Sequence, residues 1–139
     1  VLADRALSVV RVRPGQPPFM QKNLPTYTPD WVATTTVWAH ASHREIRYAL
    51  GNDRRTLLWF ANQRAVEYHP ALIPVGRTGP THLILDLDPP PGAGFDVVAA
   101  TAHLVRRTLD ELGLAGAVKT SGSKGVHIFV PITPVPVMD

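Results

Sequence analysis

Hydrophobic and polar residues alternate along several segments of the chain, most clearly in residues 82–88, HLILDLD. Successive side chains of a β-strand point to opposite faces, so Leu85 and Leu87 share one face and Asp86 and Asp88 share the other. Three prolines at 89–91 then end the segment. The pattern predicts a strand with a leucine face in a core and two carboxylates at its end.

The same period of two predicts further strands. They cover residues 6–12, 32–39 and 44–50, the segment AGAVKTS, and VHIFVPI after a GSKG turn. Residues 66–70 are also expected to be extended, because a residue that precedes proline disfavours helical geometry. The first half of the chain is therefore predicted to be rich in β-structure.

Apolar residues at helical spacing predict two helices, over residues 55–66 and 96–112. Asp53 stands near the start of the first, Asp96 near the start of the second, and Gly113 follows the second as a stop signal. The buried side of the second helix is predicted to comprise Val97, Val98, Leu104, Val105, Leu109 and Leu112.

The second half thus has the order strand, helix, strand, turn, strand. Together with the β-rich first half, this order predicts an α+β (mixed α/β) layered fold. A helical crossover can place its two strands as neighbours and their loops at one rim of the sheet.

Composition narrows the class of protein. The 139 residues are the size of one domain, 45% of them are hydrophobic, and the net charge of +3 permits an anionic partner. The chain has no cysteine, which excludes disulfides and thiolate metal sites. No apolar run approaches the roughly 20 residues that span a bilayer. We therefore expect a single domain over residues 1–139, in the cytoplasm and without a membrane partner.

Asp86 and Asp88 are the first candidates for chemistry. Side chains two apart on a strand are separated by about 6.6 Å, and two carboxylates this close repel unless a cation lies between them. Oxygen ligands without cysteine favour a hard ion such as Mg²⁺ or Mn²⁺. The competing interpretation is a solvated strand end at which aspartate starts a turn.

The second candidate is TSGSKGVH, residues 120–127. Gly122 and Gly125 allow a tight turn and close approach to a ligand. Ser121, Ser123 and Lys124 supply donors of the kind that cradle phosphate, and His127 could donate to a phosphate or sugar oxygen. The motif differs from a P-loop in spacing and in the strand that follows it. A polar hairpin turn is the alternative interpretation.

These motifs together resemble the polymerase domain of bacterial DNA ligase D, in the archaeo-eukaryotic primase superfamily. The resemblance runs over most of the chain, through ALSVVRVRPGQPPFMQKNLP, TLLWFANQRAVEYHP, THLILDLDPP and VKTSGSKGVHIFVPI. It implies a primase-polymerase-like antiparallel or mixed sheet with flanking helices. The implied function is addition of NTPs or dNTPs to DNA ends, with divalent metal ions, during non-homologous end joining.

The resemblance also implies roles for individual residues. Asp86 and Asp88 would be catalytic and would bind Mn²⁺ or Mg²⁺. DNA would contact Phe19, which would stack on the template, and Lys22, while Met20 stands where a second aromatic is common. The nucleotide would be held by His69, Ser121, Gly122, Ser123, Lys124, Gly125 and His127. Expected partners are DNA break ends with a 5′-phosphate, NTPs or dNTPs, and a fused or associated ATP-dependent DNA ligase and Ku, in a bacterial cytoplasm near the nucleoid.

The sequence also departs from the family pattern towards both ends, and we expect the N-terminal helical segment of the family to be missing. The third metal aspartate of the family lies further downstream in a V-D strand, and Asp139, after PVPVM, does not match it. We therefore expect an incomplete fold, the central part of a catalytic domain. One alternative function is a non-catalytic module that binds nucleotides or DNA ends. Another is a haloacid dehalogenase-type phosphatase, against which Pro89 and Pro90 stand where that class has Thr or Val.

Overall fold

A computed structural model describes residues 2–133, which contain eight β-strands, two α-helices and one short 3₁₀ turn. The chain divides into two units between Gly79 and Pro80. Asp139 lies outside the described residues. The mixture of antiparallel sheets and helices confirms the predicted α+β class, while a single domain over residues 1–139 stays a prediction.

The first unit contains one five-stranded antiparallel sheet and a helix. The long first strand, β1, pairs with β2 and β4 and also with β5, and β3 pairs with β4. The elements are β1 (Ala6–Arg13), β2 (Gln16–Gln21), β3 (Thr34–Ala39), the 3₁₀ turn (His40–Ser42), β4 (Arg44–Leu50), α1 (Arg54–Asn62) and β5 (Ala65–Pro70).

Alternation along β1 builds the core of the first unit. Leu7 and Val9, two residues apart, are almost completely buried and pack in one cluster with Phe60 of α1. The helix begins at Asp53, whose carboxylate accepts a hydrogen bond of 2.8 Å from the Thr56 backbone N–H. That hydrogen bond lowers the pKa of Asp53 below its ordinary value of 3.8, so the cap is a charged one.

The second unit contains a three-stranded antiparallel sheet and one long helix. The strand order is β6-β8-β7, so the last strand lies between the two that the helix connects. Those two strands are therefore not neighbours, although both end at the same rim. The elements are β6 (His82–Leu87), α2 (Phe95–Glu111), β7 (Ala117–Thr120) and β8 (Val126–Pro131).

The core of the second unit lies between α2 and one face of this sheet. Leu109, Ile128 and Val130 form its buried cluster, and Leu85 and Leu87 pack against it. This confirms the leucine face of β6.

The predicted buried side of α2 is only half right. Val98 and Leu109 are buried and Val105 packs on the core, whereas Val97, Leu104 and Leu112 are exposed. A sheet of three strands is narrow, so it covers only one strip of a helix that carries apolar residues on several sides. No helix within residues 2–133 is long and apolar enough to cross a membrane.

Candidate functional site

The two candidate carboxylates lie at the carboxyl end of β6. Asp86 and Asp88 are both exposed, and the Asp86 side chain retains 65% of its accessible surface. They alternate with Leu85 and Leu87, which contact the core. The packing of Leu85 and Leu87 therefore fixes the backbone of β6, and both carboxylates stay open to a ligand.

Strand pairing places His127 beside the first of these carboxylates. Asp86 of β6 is opposite His127 of β8, and His127 is opposite Lys119 of β7. The His127 Nε2 atom lies 3.4 Å from the Asp86 Oδ1 atom. Directly opposed residues of an antiparallel pair share a face, so an acid, an imidazole and an ammonium form one cross-strand row. Lys119 was not among the predicted site residues, because its place in this row depends on the β7–β8 register.

The loop between β7 and β8 is held by the Ser121 side chain. The Ser121 Oγ accepts hydrogen bonds from the backbone N–H groups of Gly125 and Ser123, at 3.1 and 3.3 Å. The Ser121 N–H in turn donates to the Gly125 carbonyl at 2.9 Å. Gly122 has a φ of +94°, which other residues rarely adopt. Ser121 and Gly122 thus shape the turn.

Two side chains remain available on this loop. Ser123 and Lys124 are exposed, and within residues 2–133 no carboxylate pairs with the Lys124 ammonium. An unpaired ammonium and a hydroxyl on a tight turn suit an anionic ligand such as a phosphate group.

Gly125 brings this loop against the second carboxylate. A Cβ atom built on Gly125 would collide with the Asp88 Oδ1 atom and with the Leu87 carbonyl oxygen. Gly125 itself is buried. Only a residue without a side chain permits this approach, so the phosphate-type loop and the Asp88 carboxylate are adjacent at one rim of the sheet.

The donor set suits a cation that completes its coordination with other ligands. Across the described part of the chain, no three His, Cys, Asp or Glu side chains group closely enough to hold a metal ion. Mg²⁺ is often bound by one or two carboxylates together with substrate phosphates and water. Asp86 and Asp88 fit that pattern of two protein carboxylates.

The remaining predicted residues lie in the first unit. His69 is exposed on β5, and its Nε2 atom lies 2.9 Å from the Glu67 Oε2 atom. Lys22 is exposed directly after β2. Phe19, on β2, is partly buried and lies opposite Arg11 of β1.

Phe19 has cationic neighbours that the sequence analysis missed. The Arg13 guanidinium carbon lies 4.4 Å from the centre of the Phe19 ring, and that of Arg11 lies 5.6 Å from it. The signal available in the sequence was the spacing R-x-R-P-G, in which a hairpin turn returns the next strand to the arginines. Any base that stacks on Phe19 must share the ring with these two cations.

Comparison with known proteins supplies the family. The family model described as "LigD, primase-polymerase domain" matches residues 1–138. The chain belongs to the LigD primase-polymerase domain family. It is 35% identical over 135 residues to the bifunctional non-homologous end joining protein LigD of Bacillus subtilis, covering 96% of this chain and 21% of that protein.

Two comparisons with Mycobacterium tuberculosis agree with this. The chain is 36% identical over 129 residues to its multifunctional non-homologous end joining DNA repair protein LigD, covering 84% of this chain and 16% of that protein. The solved polymerase domain of M. tuberculosis ligase D, in complex with DNA, matches with a TM-score of 0.82 and 33% identity. That match covers 96% of this chain and 50% of the solved domain. The LigD family chain therefore spans about half the length of the polymerase domain that it resembles.

Proposed function

We propose that this chain holds the metal and the incoming nucleotide when NTPs or dNTPs are added to DNA ends in non-homologous end joining. One observation carries the proposal: the pairing of β6 with β8 brings Asp86, Asp88 and the Ser121–Gly125 loop to one rim of a sheet. Acidic groups beside a phosphate-type loop suit nucleotidyl transfer, in which a cation and a triphosphate must meet.

Asp86 and Asp88 would hold Mg²⁺ or Mn²⁺ together with phosphate oxygens of the nucleotide. When bound, such an ion neutralises charge that develops on the transferring phosphoryl group. The chain's own part is to keep two carboxylates fixed, which β6 does through the packing of Leu85 and Leu87.

The loop would orient the triphosphate. Lys124 contributes a positive charge and Ser123 a hydroxyl, while Ser121 keeps the turn closed through its two backbone hydrogen bonds. His127 would hold the Asp86 carboxylate or donate to the nucleotide, and we assign a nucleotide contact to His69 as well. Positioning of this kind supplies most of the rate in phosphoryl transfer.

DNA is the proposed second substrate. The solved relative from M. tuberculosis is in complex with DNA, and the relatives from B. subtilis and M. tuberculosis are named as end joining proteins. We assign a stacking contact to Phe19 and a phosphate contact to Lys22. By the same relationship we propose break ends with a 5′-phosphate as substrate, an ATP-dependent ligase and Ku as partners, and the bacterial cytoplasm as location.

A second function has its own supporting observation. The described residues group two carboxylates at the rim, and no third carboxylate joins them. A site with two carboxylates can still bind a metal–nucleotide complex without adding the nucleotide to a DNA end. The chain would then be a binding module for nucleotides or DNA ends.

Nucleotide addition by the 139-residue chain separates the two functions. The assay uses a primer-template with a 5′-phosphate, Mn²⁺ and labelled NTPs. Asp86→Ala should abolish addition, whereas Asp110→Asn, a loss of one exposed carboxylate on α2, should not. Metal-dependent nucleotide binding without any addition would favour the binding module, and addition that survives Asp86→Ala would exclude the proposed metal site.

A further inference from the structure

Three arginines line a cleft of about 450 Å³ in the first unit. The cleft lies between the β1–β2 hairpin and residues 62–64 at the C-terminal end of α1. We call it the arginine cleft after Arg11, Arg13 and Arg64. No acidic side chain contributes to its lining. None of the proposed catalytic or nucleotide-binding residues belongs to it.

Arg11 is fixed in the wall of the cleft by neutral groups. Its Nε donates to the Gln63 carbonyl at 2.7 Å and its Nη2 to the Gln63 Oε1 atom at 3.2 Å. Its Nη1 donates to the Gln21 Oε1 atom at 2.6 Å. Since amide acceptors leave the charge uncompensated, the guanidinium is held in place and remains a full positive charge.

Arg13 is positioned by an aromatic ring. Its guanidinium lies over the face of Phe19 at 4.4 Å from the ring centre, within the range of a cation–π contact. A guanidinium beside a ring can still donate N–H groups to an anion. Arg13 is exposed, so those groups are accessible to a ligand.

Arg64 closes the other side of the cleft. It has a left-handed φ of +62°, and its carbonyl accepts a hydrogen bond of 3.1 Å from the Val12 N–H. This hydrogen bond ties the turn after α1 to β1, so the two walls are held at a fixed separation. Among the ion pairs within residues 2–133, none involves Arg11, Arg13 or Arg64.

We infer that the arginine cleft binds the phosphodiester backbone of a DNA strand whose neighbouring base lies at Phe19. Guanidiniums without an acidic partner favour phosphate oxygens, and the Phe19 ring beside Arg13 adds a surface for a base. The cleft has neither the serine-rich turn nor the carboxylates that a metal–nucleotide complex would use in the second unit. The inference rests on the proposed DNA partner, but it assigns that partner to residues outside the proposed catalytic site.

The decisive variant is Arg13→Gln/Arg64→Gln, measured for binding of labelled single-stranded DNA at several salt concentrations. The log K of DNA binding falls as log salt rises, and each lost phosphate contact makes this line less steep by about 0.7 for single strands. We therefore expect the magnitude of the slope to be smaller by about 1.4 in the double variant, and the affinity at low salt to be weaker. The matched control, Arg106→Gln/Arg107→Gln on α2, removes the same charge at residues that do not line the cleft and should leave the slope unchanged.

A conservative variant separates charge from stacking. Arg13→Lys retains the charge but lacks the planar group. Its salt slope should therefore equal that of the wild type, while its affinity for DNA stays below that of the wild type. Equal slopes for Arg13→Gln/Arg64→Gln and Arg106→Gln/Arg107→Gln would show that only the net charge matters, and would overturn the inference. Displacement of DNA by inorganic phosphate at the same concentration as by an oligonucleotide would also overturn it, in favour of a site for free anions.

The DNA-binding test of the arginine cleft is independent of catalysis. Binding of Mn²⁺ with a labelled nucleotide should be the same in wild type and in Arg13→Gln/Arg64→Gln. Wild-type DNA binding with the expected salt slope, but without nucleotide addition, would support the arginine cleft while the proposed catalysis fails. Nucleotide addition with unaltered DNA binding by the double variant would contradict the arginine cleft alone.

Discussion

The His127 Nε2 atom lies 3.4 Å from the Asp86 Oδ1 atom across two adjacent antiparallel strands. The imidazole therefore lies within ion-pair distance of a carboxylate that is otherwise exposed, and we propose that it orients this carboxylate. We expect His127→Ala to lower metal-dependent nucleotide addition by about 10- to 100-fold, the usual cost of removing a group that orients a metal ligand. His127→Asn, which keeps a hydrogen-bond donor, should retain more activity.

His103→Ala provides the control for this measurement, since His103 is exposed on α2. Its rate of addition should equal that of the wild type. An undiminished rate in His127→Ala would mean that the Asp86 carboxylate needs no support from β8.

Gly125→Ala tests the close approach between the loop and the second carboxylate. The added Cβ would collide with Asp88 and with the Leu87 carbonyl, so either the loop or the carboxylate must move. A displacement of about 1 Å at a reacting centre costs about 100-fold in rate, and we expect a loss of that order. Binding of Mn²⁺ should weaken in parallel.

Gly122→Ala is the matched loop variant. A Cβ on Gly122 meets no atom within 4 Å, although its φ of +94° makes alanine unfavourable there. It should lower the melting temperature but retain most Mn²⁺ binding. Equal losses in the two variants would assign the effect to loop folding and not to Asp88.

Lys124 is expected to act on nucleotide binding. Its ammonium has no acidic partner in the described residues and lies on the turn that Ser121 closes. Lys124→Met should raise the KM for the nucleotide by about 10- to 100-fold, which corresponds to about 1.5–3 kcal/mol for a charged hydrogen bond. Lys124→Arg should recover part of this loss. A change in kcat alone would contradict a ground-state phosphate contact.

The Asp53 cap predicts a dependence of stability on pH. The Thr56 N–H lowers the pKa of Asp53 in the folded protein, so the cap stabilises the fold above the unfolded pKa. That contribution is lost as the pH falls through the lower, folded pKa. Thermal denaturation between about pH 6 and pH 2 should show this acid limb in the wild type.

Asp53→Asn separates the charge from the cap. Asparagine caps a helix about as well as aspartate, so this variant should be stable at neutral pH and should lack the Asp53 part of the acid limb. Asp53→Ala should melt at a lower temperature throughout. An identical acid limb in Asp53→Asn would assign it to other carboxylates.

Local patterns predicted the parts of the fold that depend on local geometry. The period of two in residues 82–88 correctly separated Leu85 and Leu87 from Asp86 because alternation is a property of the strand itself. Asp53 was recognised near the start of a helix because a helix cap is likewise a local feature of the chain. The motifs that contain Asp86, Asp88 and the Ser121–Gly125 loop were placed correctly at strand ends, while the roles of these residues stay predictions.

Properties that depend on distant partners were not predicted. The insertion of β8 between β6 and β7 follows from pairing energies over the whole sheet, which no single segment reveals. Val97, Leu104 and Leu112 were expected in the core because α2 is apolar on several sides, but its sheet covers one strip only. The stacking of Arg13 on Phe19 likewise required the register of the β1–β2 hairpin.

The position of β8 in the middle of its sheet also has a consequence for biosynthesis. β6 and α2 leave the ribosome first, and β6 then has an unpaired edge until residues 126–131 are made. Pairing with β8 adds the central strand and brings the Ser121–Gly125 loop to Asp88 in the same event. The rim is thus completed only after residues 126–131 have been made and have paired with β6.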